Sequence, residues 1–238
     1  MMFNLPKKYR VGKKIPMKDF IPKDLKPEVK KKIKDSVKNV ILTYQIMGED
    51  IPSLVNDERN YQVIQFYDFD LVDIKKASFL AGLYQEIIKS PCVIRFHDNA
   101  SEAYSFALKR LSQNDKTQIV VTDKLLTSTF PAVMPSTEKM NFQKELSADN
   151  IKNQTNKVTF YLEMYVRAYI LTNDKIYANA QLYLAKPIWY DENKVKGVYT
   201  RLLELAKTKE KVQKATNNSE KMQLNQEIRK LISELDKI

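Results

Sequence analysis

The 238-residue sequence predicts an α+β fold, with a mainly antiparallel sheet flanked by helices on one side and a C-terminal helical, coiled-coil-like arm. Three observations predict it. Short β-branched and aromatic segments are bounded by turn residues, amphipathic segments lie between them, and an apolar seam ends the chain. We therefore expect a basic N-terminal extension at residues 1–27, a core domain at 28–190 and the arm at 191–238.

Helices and strands alternate in the first part of the chain. Residues 28–47 predict one helix, because apolar residues recur there at helical spacing after Pro27, which suits a first helical turn. Residues 61–70 then predict a strand and residues 72–89 a helix. After Pro91, residues 92–97 predict another strand, because they are mostly apolar and end at Asp98-Asn99.

The middle of the chain predicts a hairpin, a linker and a buried helix. Residues 102–111 and 117–127 predict two strands joined by a turn at Gln113-Asn114-Asp115. The polar residues 131–157 predict a loop or linker. Residues 158–171 form a long apolar run, which favours a buried helix over a strand.

In the arm, the apolar pattern predicts helices from Val195 onward. Its apolar seam steps by four, three and four residues along the chain. Such a seam either packs on its own domain or binds a protein partner or a second copy of the chain, as a homodimer. The candidate partner-binding residues are Leu224, Ile228, Leu231 and Leu235.

Positive charge is concentrated at the start of the chain. The net charge is +11, and residues 1–40 hold 13 basic and 4 acidic residues, which leaves only +2 for all the rest. Such asymmetry is typical of a segment that contacts a polyanion. Lysine predominates over arginine, which suits phosphate contacts that do not depend on base sequence. The four glycines form no Gly-rich phosphate loop.

These observations favour a nucleic-acid-binding segment. Its alternative is a solvated lysine face that only aids solubility. A membrane-surface helix is disfavoured, because the apolar face of residues 28–47 lacks the Trp and Phe of interfacial anchors. The candidate nucleic-acid-binding residues are Lys7, Lys8, Arg10, Lys13, Lys14, Lys30, Lys31 and Lys34.

No arrangement of residues identifies a reaction, so the sequence favours a non-catalytic protein without a cofactor or resident metal. One alternative is a metal-dependent nuclease. Asp73-Ile74-Lys75 is a D-x-K triplet that follows Asp68 and Asp70, and carboxylates near a lysine suit Mg²⁺-assisted phosphoryl chemistry. The triplet also suits a helix start, where acidic residues act as caps.

The remaining reactive residue types have structural interpretations. Cys92 is the single cysteine and is expected to be buried in a strand, and His97 is the single histidine, at the end of that strand. One thiol, no signal-peptide pattern and no apolar run of about 20 residues together predict a cytoplasmic protein without membrane contact.

Both ends of the chain resemble a known family. The opening Met2-Phe3-Asn4-Leu5-Pro6-Lys7, followed by Val11-Gly12-Lys13-Lys14-Ile15-Pro16, resembles the start of the bacterial DUF 4391 family, a domain of unknown function. The end, from Lys221 to Leu231, is similar to the Lys/Glu-rich C-terminal helix of that family, with Gln223 in place of an acidic residue. No activity comes with this resemblance.

The resemblance also implies which genes lie beside the gene for such a protein. Such proteins are often encoded beside helicases and DNA methyltransferases of restriction or phage-defence loci. We therefore expect an accessory protein that binds DNA phosphates through its N-terminus and a helicase or methyltransferase of the same locus through its C-terminal helices. A structural adaptor without nucleic-acid contact is the remaining alternative.

Overall fold

The computed structural model describes residues 2–238 and divides into two units. A mixed sheet of seven strands organises the first unit. The first unit ends at Tyr165, and the second is Val166–Ile238. The sheet contains β1 (Arg10–Lys14), β2 (Val37–Ile46), β5 (Ile64–Leu71), β6 (Cys92–His97), β7 (Ser101–Leu111), β8 (Ile119–Leu126) and β9 (Phe130–Pro131). A separate pair is formed by β3 (Leu54–Val55) and β4 (Asn60–Tyr61).

Seven α-helices accompany the strands in the described part of the chain. The first unit holds α1 (Met17–Phe20), α2 (Pro27–Ser36), α3 (Ala77–Ile87) and α4 (Thr137–Glu145). The helix α5 (Lys157–Thr172) contains the boundary between the units. The second unit holds α6 (Glu192–Lys214) and α7 (Asn218–Asp236), and short 3₁₀ turns complete both units.

The strand order is β1-β2-β5-β6-β7-β8, with β9 also paired to β7. Every neighbouring pair is antiparallel except β5 and β6, which are parallel. The parallel pair is joined by α3, because two parallel strands need a long crossover connection. The prediction of an α+β fold with a mostly antiparallel sheet is therefore confirmed, and the sheet is mixed.

Helices cover both faces of the sheet, so the expectation of helices on one side was wrong. Tyr104 and Ser105 are successive residues of β7, and successive side chains point to opposite faces. The Ser105 hydroxyl is 3.2 Å from the Gln85 amide of α3, whereas the Tyr104 ring lies 5.3 Å from the Phe142 ring of α4. We call the side that carries α2 and α3 the helical face and the side that carries α4 the cleft face.

The single helix predicted at 28–47 was also wrong, because the helix ends at Ser36 and β2 follows directly. The segment after Ser36 is rich in β-branched residues, which suit a pleated strand. It pairs with β5 on one side and with β1 on the other. Tertiary pairing thus overrides the helical spacing of this segment. Val37 and Val40 are three residues apart, which would place them on opposite faces of a regular strand. The register shift between Val37 and Asn39 allows both to be buried in the core of the helical face.

The later elements follow the predictions more closely. The strand at 92–97 and the buried helix at 158–171 are confirmed by β6 and α5, and the predicted hairpin is formed by β7 and β8. The predicted linker at 131–157 contains α4, whose N-terminus is capped by the Ser136 side chain. A serine cap followed by good helix formers was the available signal for this helix.

In the second unit, α6 and α7 form an antiparallel hairpin. Arg201 pairs with Glu234 at 3.1 Å, and Thr208 contacts Glu227 at 3.4 Å, so the two helices run in opposite directions. The break between them is capped by the Asn217 side chain. No helix within residues 2–238 combines the length and apolar character needed to cross a bilayer.

Candidate functional site

A cleft of about 620 Å³ opens on the cleft face of the sheet. Five adjacent strands, from β1 to β7 in spatial order, form its floor, and α4 forms one wall. Volumes of a few hundred Å³ are typical of small-molecule sites. The lining residues are Met2, Arg10, Gly12, Ile41, Thr43, Tyr44, Asp68, Arg95, Glu102, Tyr104, Lys139 and Gln143.

A buried carboxylate lies at the base of the cleft. Glu102 is only 1% exposed, and four donors surround it. Arg95 donates to Oε2 of Glu102 from Nε at 3.0 Å and from Nη2 at 2.6 Å. The Tyr104 hydroxyl donates to Oε1 at 2.8 Å, and the ammonium group of Lys139 lies 3.1 Å from the same Oε1. Glu102 is therefore fully satisfied by protein groups.

Arg95 connects Glu102 to a second carboxylate. Its Nη1 donates to Asp68 at 2.9 Å, and the other oxygen of Asp68 lies 2.7 Å from Nε2 of His97. The pairing register explains this proximity, because Asp68 lies opposite Arg95 across β5 and β6, and Glu102 lies opposite His97 across β6 and β7. These residues form one ionic network across three strands.

The network favours the charged forms of Asp68, Glu102 and Arg95. Burial alone would raise the pKa of Asp68 and of Glu102, but the bonds from His97 and Arg95 outweigh burial, and the net effect lowers both pKa values. Burial likewise opposes the charge on Arg95, yet the two carboxylates raise its pKa above the ordinary value. At neutral pH the cleft floor therefore carries fixed, compensating charges.

Buried ion networks are a poor source of stability, because desolvation cancels much of the attraction. Perturbed ionisable groups gathered in a cleft are instead typical of functional sites. Within this cleft, Asp68 and Arg95 lie in the interior of the parallel strands β5 and β6.

A register shift in β2 brings further side chains into the cleft. Between Leu42 and Tyr44 the pairing with β5 skips one residue, so Thr43 is the extra residue of a bulge. Both Thr43 and Tyr44 line the cleft, although successive residues of a regular strand would point to opposite faces. Bulges often redirect side chains beside functional sites.

The predicted nucleic-acid-binding residues lie on folded elements. Arg10, Lys13 and Lys14 belong to the edge strand β1, where all five residues are exposed. Lys31 and Lys34 are exposed on α2, whereas Lys30 is half-buried and donates to the Lys23 carbonyl at 2.6 Å. Lys7 and Lys8 occupy a 3₁₀ turn directly before β1.

Few carboxylates neutralise this basic surface, which we define as Lys7, Lys8, Arg10, Lys13, Lys14, Lys30, Lys31 and Lys34. Within residues 2–238, one of these eight residues forms an ion pair: Lys8 lies 2.9 Å from the Asp50 carboxylate. Lys32, on the same helix, lies over the Phe79 ring at 3.9 Å. The excess charge of the sequence is therefore displayed on rigid secondary structure.

The residues of the nuclease alternative have separate partners. Asp68 belongs to the ionic network, and Asp70 pairs with Lys38 at 3.6 Å. Asp73 accepts from the Lys75 backbone amide at 2.9 Å and so caps the 3₁₀ turn before α3, while the Lys75 side chain is exposed. No group of three or more metal-ligating side chains occurs in the part of the chain that the structure describes.

Cys92 is fully buried, as expected, with the Lys109 ammonium 3.7 Å from its sulfur. Burial raises the pKa of the Cys92 thiol and lowers that of Lys109. Lys109 also donates to the carbonyls of Ile88 and Ser90, at 2.6 and 3.0 Å. The pair therefore fastens the end of α3 to β7.

The predicted partner-binding seam is divided between two environments. Leu231 and Leu235 are buried within the second unit, where Leu235 is 0% exposed. Leu224 and Ile228 are half-buried, and Met222 beside them is 66% exposed. The outer part of α7 thus keeps accessible apolar surface, whereas its C-terminal part packs against its own unit.

Comparison with known proteins places the chain in a family. Residues 3–235 match the family described as Domain of unknown function (DUF4391). The chain belongs to the DUF4391 family. The match covers nearly all of the cleft residues and of the helical hairpin, so the resemblance read from the two ends of the sequence is confirmed. Searches of the curated proteins and of the solved structures with this DUF4391 chain found no match.

Proposed function

We propose that this DUF4391 chain is a non-catalytic accessory protein that binds nucleic-acid phosphates through its basic surface. The supporting observation is that exposed lysines on β1 and α2 lack neutralising carboxylates, within residues 2–238. Ammonium groups held on rigid elements can contact successive phosphates and release condensed counterions. Lysines do not read base edges, so binding is expected to be independent of sequence.

The proposed setting is a bacterial DNA-processing or phage-defence system of the restriction type. There the nucleic acid is DNA, and the protein partner is a helicase or methyltransferase. The α7 surface around Met222, Leu224 and Ile228 supports partner docking, because it keeps accessible apolar area near the turn of the helical hairpin. Leu231 and Leu235 support that hairpin from within the second unit.

A salt series tests the proposal. We expect duplex DNA to bind with a slope of log K against log salt of about −4.5 to −6, which corresponds to roughly five to seven phosphate contacts. The test variant carries Lys13→Glu, Lys14→Glu, Lys31→Glu and Lys34→Glu, all at exposed positions. Its slope should be flatter by about 3 to 4. Fluorescence anisotropy gives the binding constants.

The control variant makes the same charge change on the helical hairpin. It carries glutamate in place of the exposed residues Lys207, Lys211, Lys230 and Lys237. Its slope should stay near that of the wild type, because these lysines are interleaved with acidic residues. Equal losses in the two variants would mean that net charge alone is responsible. Absence of binding at low salt would leave the lysines of β1 as protection of a sheet edge.

A further inference from the structure

The backbone of residues 2–5 is strained. Within residues 2–238, the non-glycine residues with a positive φ are Phe3, at 48°, and Asn4, at 50°. This left-handed conformation is disfavoured for residues with a Cβ atom, most of all for a bulky side chain such as phenylalanine. Strain of this kind persists only where the surrounding contacts enforce it, and it is common in switch regions and ligand clamps.

Two buried side chains hold this segment in place. Phe3 is 1% exposed, and its ring centre lies 5.2 Å from that of Tyr104 and 6.0 Å from that of Phe142. Aromatic pairs at such distances add to the energy of burial. The Phe3 carbonyl accepts from the Ala148 amide at 2.8 Å, and Leu5 is also 1% exposed. These contacts oppose the strain and hold the segment on the cleft face.

Residues 2–5 also connect the cleft with the basic surface. Met2 lines the cleft and is 8% exposed. The 3₁₀ turn that carries Lys7 and Lys8 begins two residues after Leu5, and Lys8 pairs there with Asp50. The anchors at one end of this short segment therefore help to fix the positions of two cations at the other end.

We propose that residues 2–5 form a strap with two states. In the docked state, described above, Phe3 lies in the aromatic cluster and the backbone is strained. In the released state the backbone relaxes, the ring leaves the cluster, and Lys7 and Lys8 lose their fixed positions. Strain and burial oppose each other, so a ligand that prefers one state can shift the equilibrium.

The ligand assigned to the docked state rests on the proposed function, because phosphates would contact Lys7 and Lys8 in the positions that docking fixes. Coupling between two equilibria is reciprocal. Nucleic acid should therefore favour the docked strap, and release of the strap should weaken nucleic-acid binding.

Limited proteolysis with trypsin measures the released state, because the rate of cleavage after Lys7 or Lys8 follows the population in which the segment is open. The matched variants are Asn4→Ala and Asn4→Gly. Both remove the hydrogen bond from the Asn4 side chain to Asp149, and they differ by one Cβ atom, which left-handed backbone disfavours. We expect Asn4→Ala to be cleaved about fivefold faster than Asn4→Gly.

Phe3→Ala removes the main anchor and should be cleaved at least about tenfold faster than the wild type, with circular dichroism to verify that the variant is folded. Tyr161→Phe is the control, because it removes two buried hydrogen bonds of the first unit and leaves residues 2–5 unchanged. Its cleavage after Lys7 and Lys8 should match that of the wild type. In the DNA salt series, Phe3→Ala should flatten the slope by about 1 to 2, as two phosphate contacts weaken.

The strap and its coupling to nucleic acid are judged separately. The strap is overturned if Asn4→Ala and Asn4→Gly are cleaved at the same rate, or if Phe3→Ala is cleaved no faster than the wild type. The coupling is overturned if Phe3→Ala leaves the salt slope unchanged. If the wild type does not bind DNA at low salt, the proposed function and the coupling fail together, whereas the cleavage rates still decide whether the strap exists.

Discussion

Replacing Glu102 by glutamine should destabilise the first unit more than any surface change of the same kind. Glu102 is 1% exposed and accepts from Arg95, Tyr104 and Lys139. An amide has one oxygen, so its NH₂ group must face either Arg95 or the pair Tyr104 and Lys139, donor against donor. Two bonds are lost in either orientation, and a buried cation loses its counter-charge.

Removing one partner of a buried ion pair costs about 3–5 kcal/mol. For a chain of this size each kcal/mol lowers the midpoint of thermal unfolding by about 2–4 °C, so we expect a fall of roughly 6–20 °C. The matched control is Glu86→Gln, because Glu86 is 64% exposed and pairs with Lys124 on the surface. That change should cost about 0–1 kcal/mol.

The pH dependence gives an independent check. Because the pKa of Glu102 is lowered in the folded protein, its stabilisation is present above the unfolded pKa of about 4.3 and is lost as pH falls through the folded value. Glu102→Gln lacks this stabilisation at every pH. The difference in unfolding free energy between wild type and variant should therefore shrink in acid.

Amide hydrogen exchange in β6 and β7 is a suitable assay alongside circular dichroism, because Trp189, the single tryptophan, lies in the second unit. The reasoning would be refuted by a Glu102→Gln variant that is as stable as the Glu86→Gln control. It would also be refuted if the difference from wild type were the same at pH 7 as at pH 3, since the carboxylate would then not be held in its charged form.

Two further predictions concern the framework around the site. Tyr161→Phe should lower the free energy of unfolding, measured with urea, by roughly 2–6 kcal/mol. The buried hydroxyl of Tyr161 donates to the Cys92 carbonyl at 2.7 Å and accepts from the Ala107 amide at 3.1 Å, so the variant leaves both backbone groups without a partner. Unchanged stability would contradict this bridging role. In the hairpin, Leu235→Asp should reduce the helicity measured by circular dichroism, because Leu235 is buried. Met222→Asp should keep the helicity but weaken self-association or partner capture, because Met222 is exposed. An equal loss of helicity in both variants would contradict the assignment of an outer docking surface.

Much of the sheet could be predicted because β6, β7 and β8 are short, β-rich and separated by turn residues. The failures have physical causes. The helix predicted at 28–47 contains Val29, Ile33, Val37 and Val40, which follow helical spacing, but the register of β2 against β5 decides the conformation after Ser36. Non-local strand pairing cannot be deduced from the periodicity of a single segment.

The basic surface was predictable because charge is read directly from composition, whereas the ionic network was not. Arg95, Glu102 and Lys139 lie on three elements, and only pairing and the packing of α4 bring them together. A signal did exist. Asp68 and Arg95 lie between apolar residues of largely buried strands, and an ionisable residue in such a position needs a partner across the sheet.

The strand β1 connects these two features through its alternation. Residues directly opposite each other in an antiparallel pair lie on the same face. Lys13 lies opposite Leu42, which packs on the helical face beside α2, whereas Lys14 lies opposite Ile41, which lines the cleft. One edge strand therefore directs cations toward both faces of the sheet. Phosphates that follow this edge would thus meet cationic side chains on both faces of the sheet.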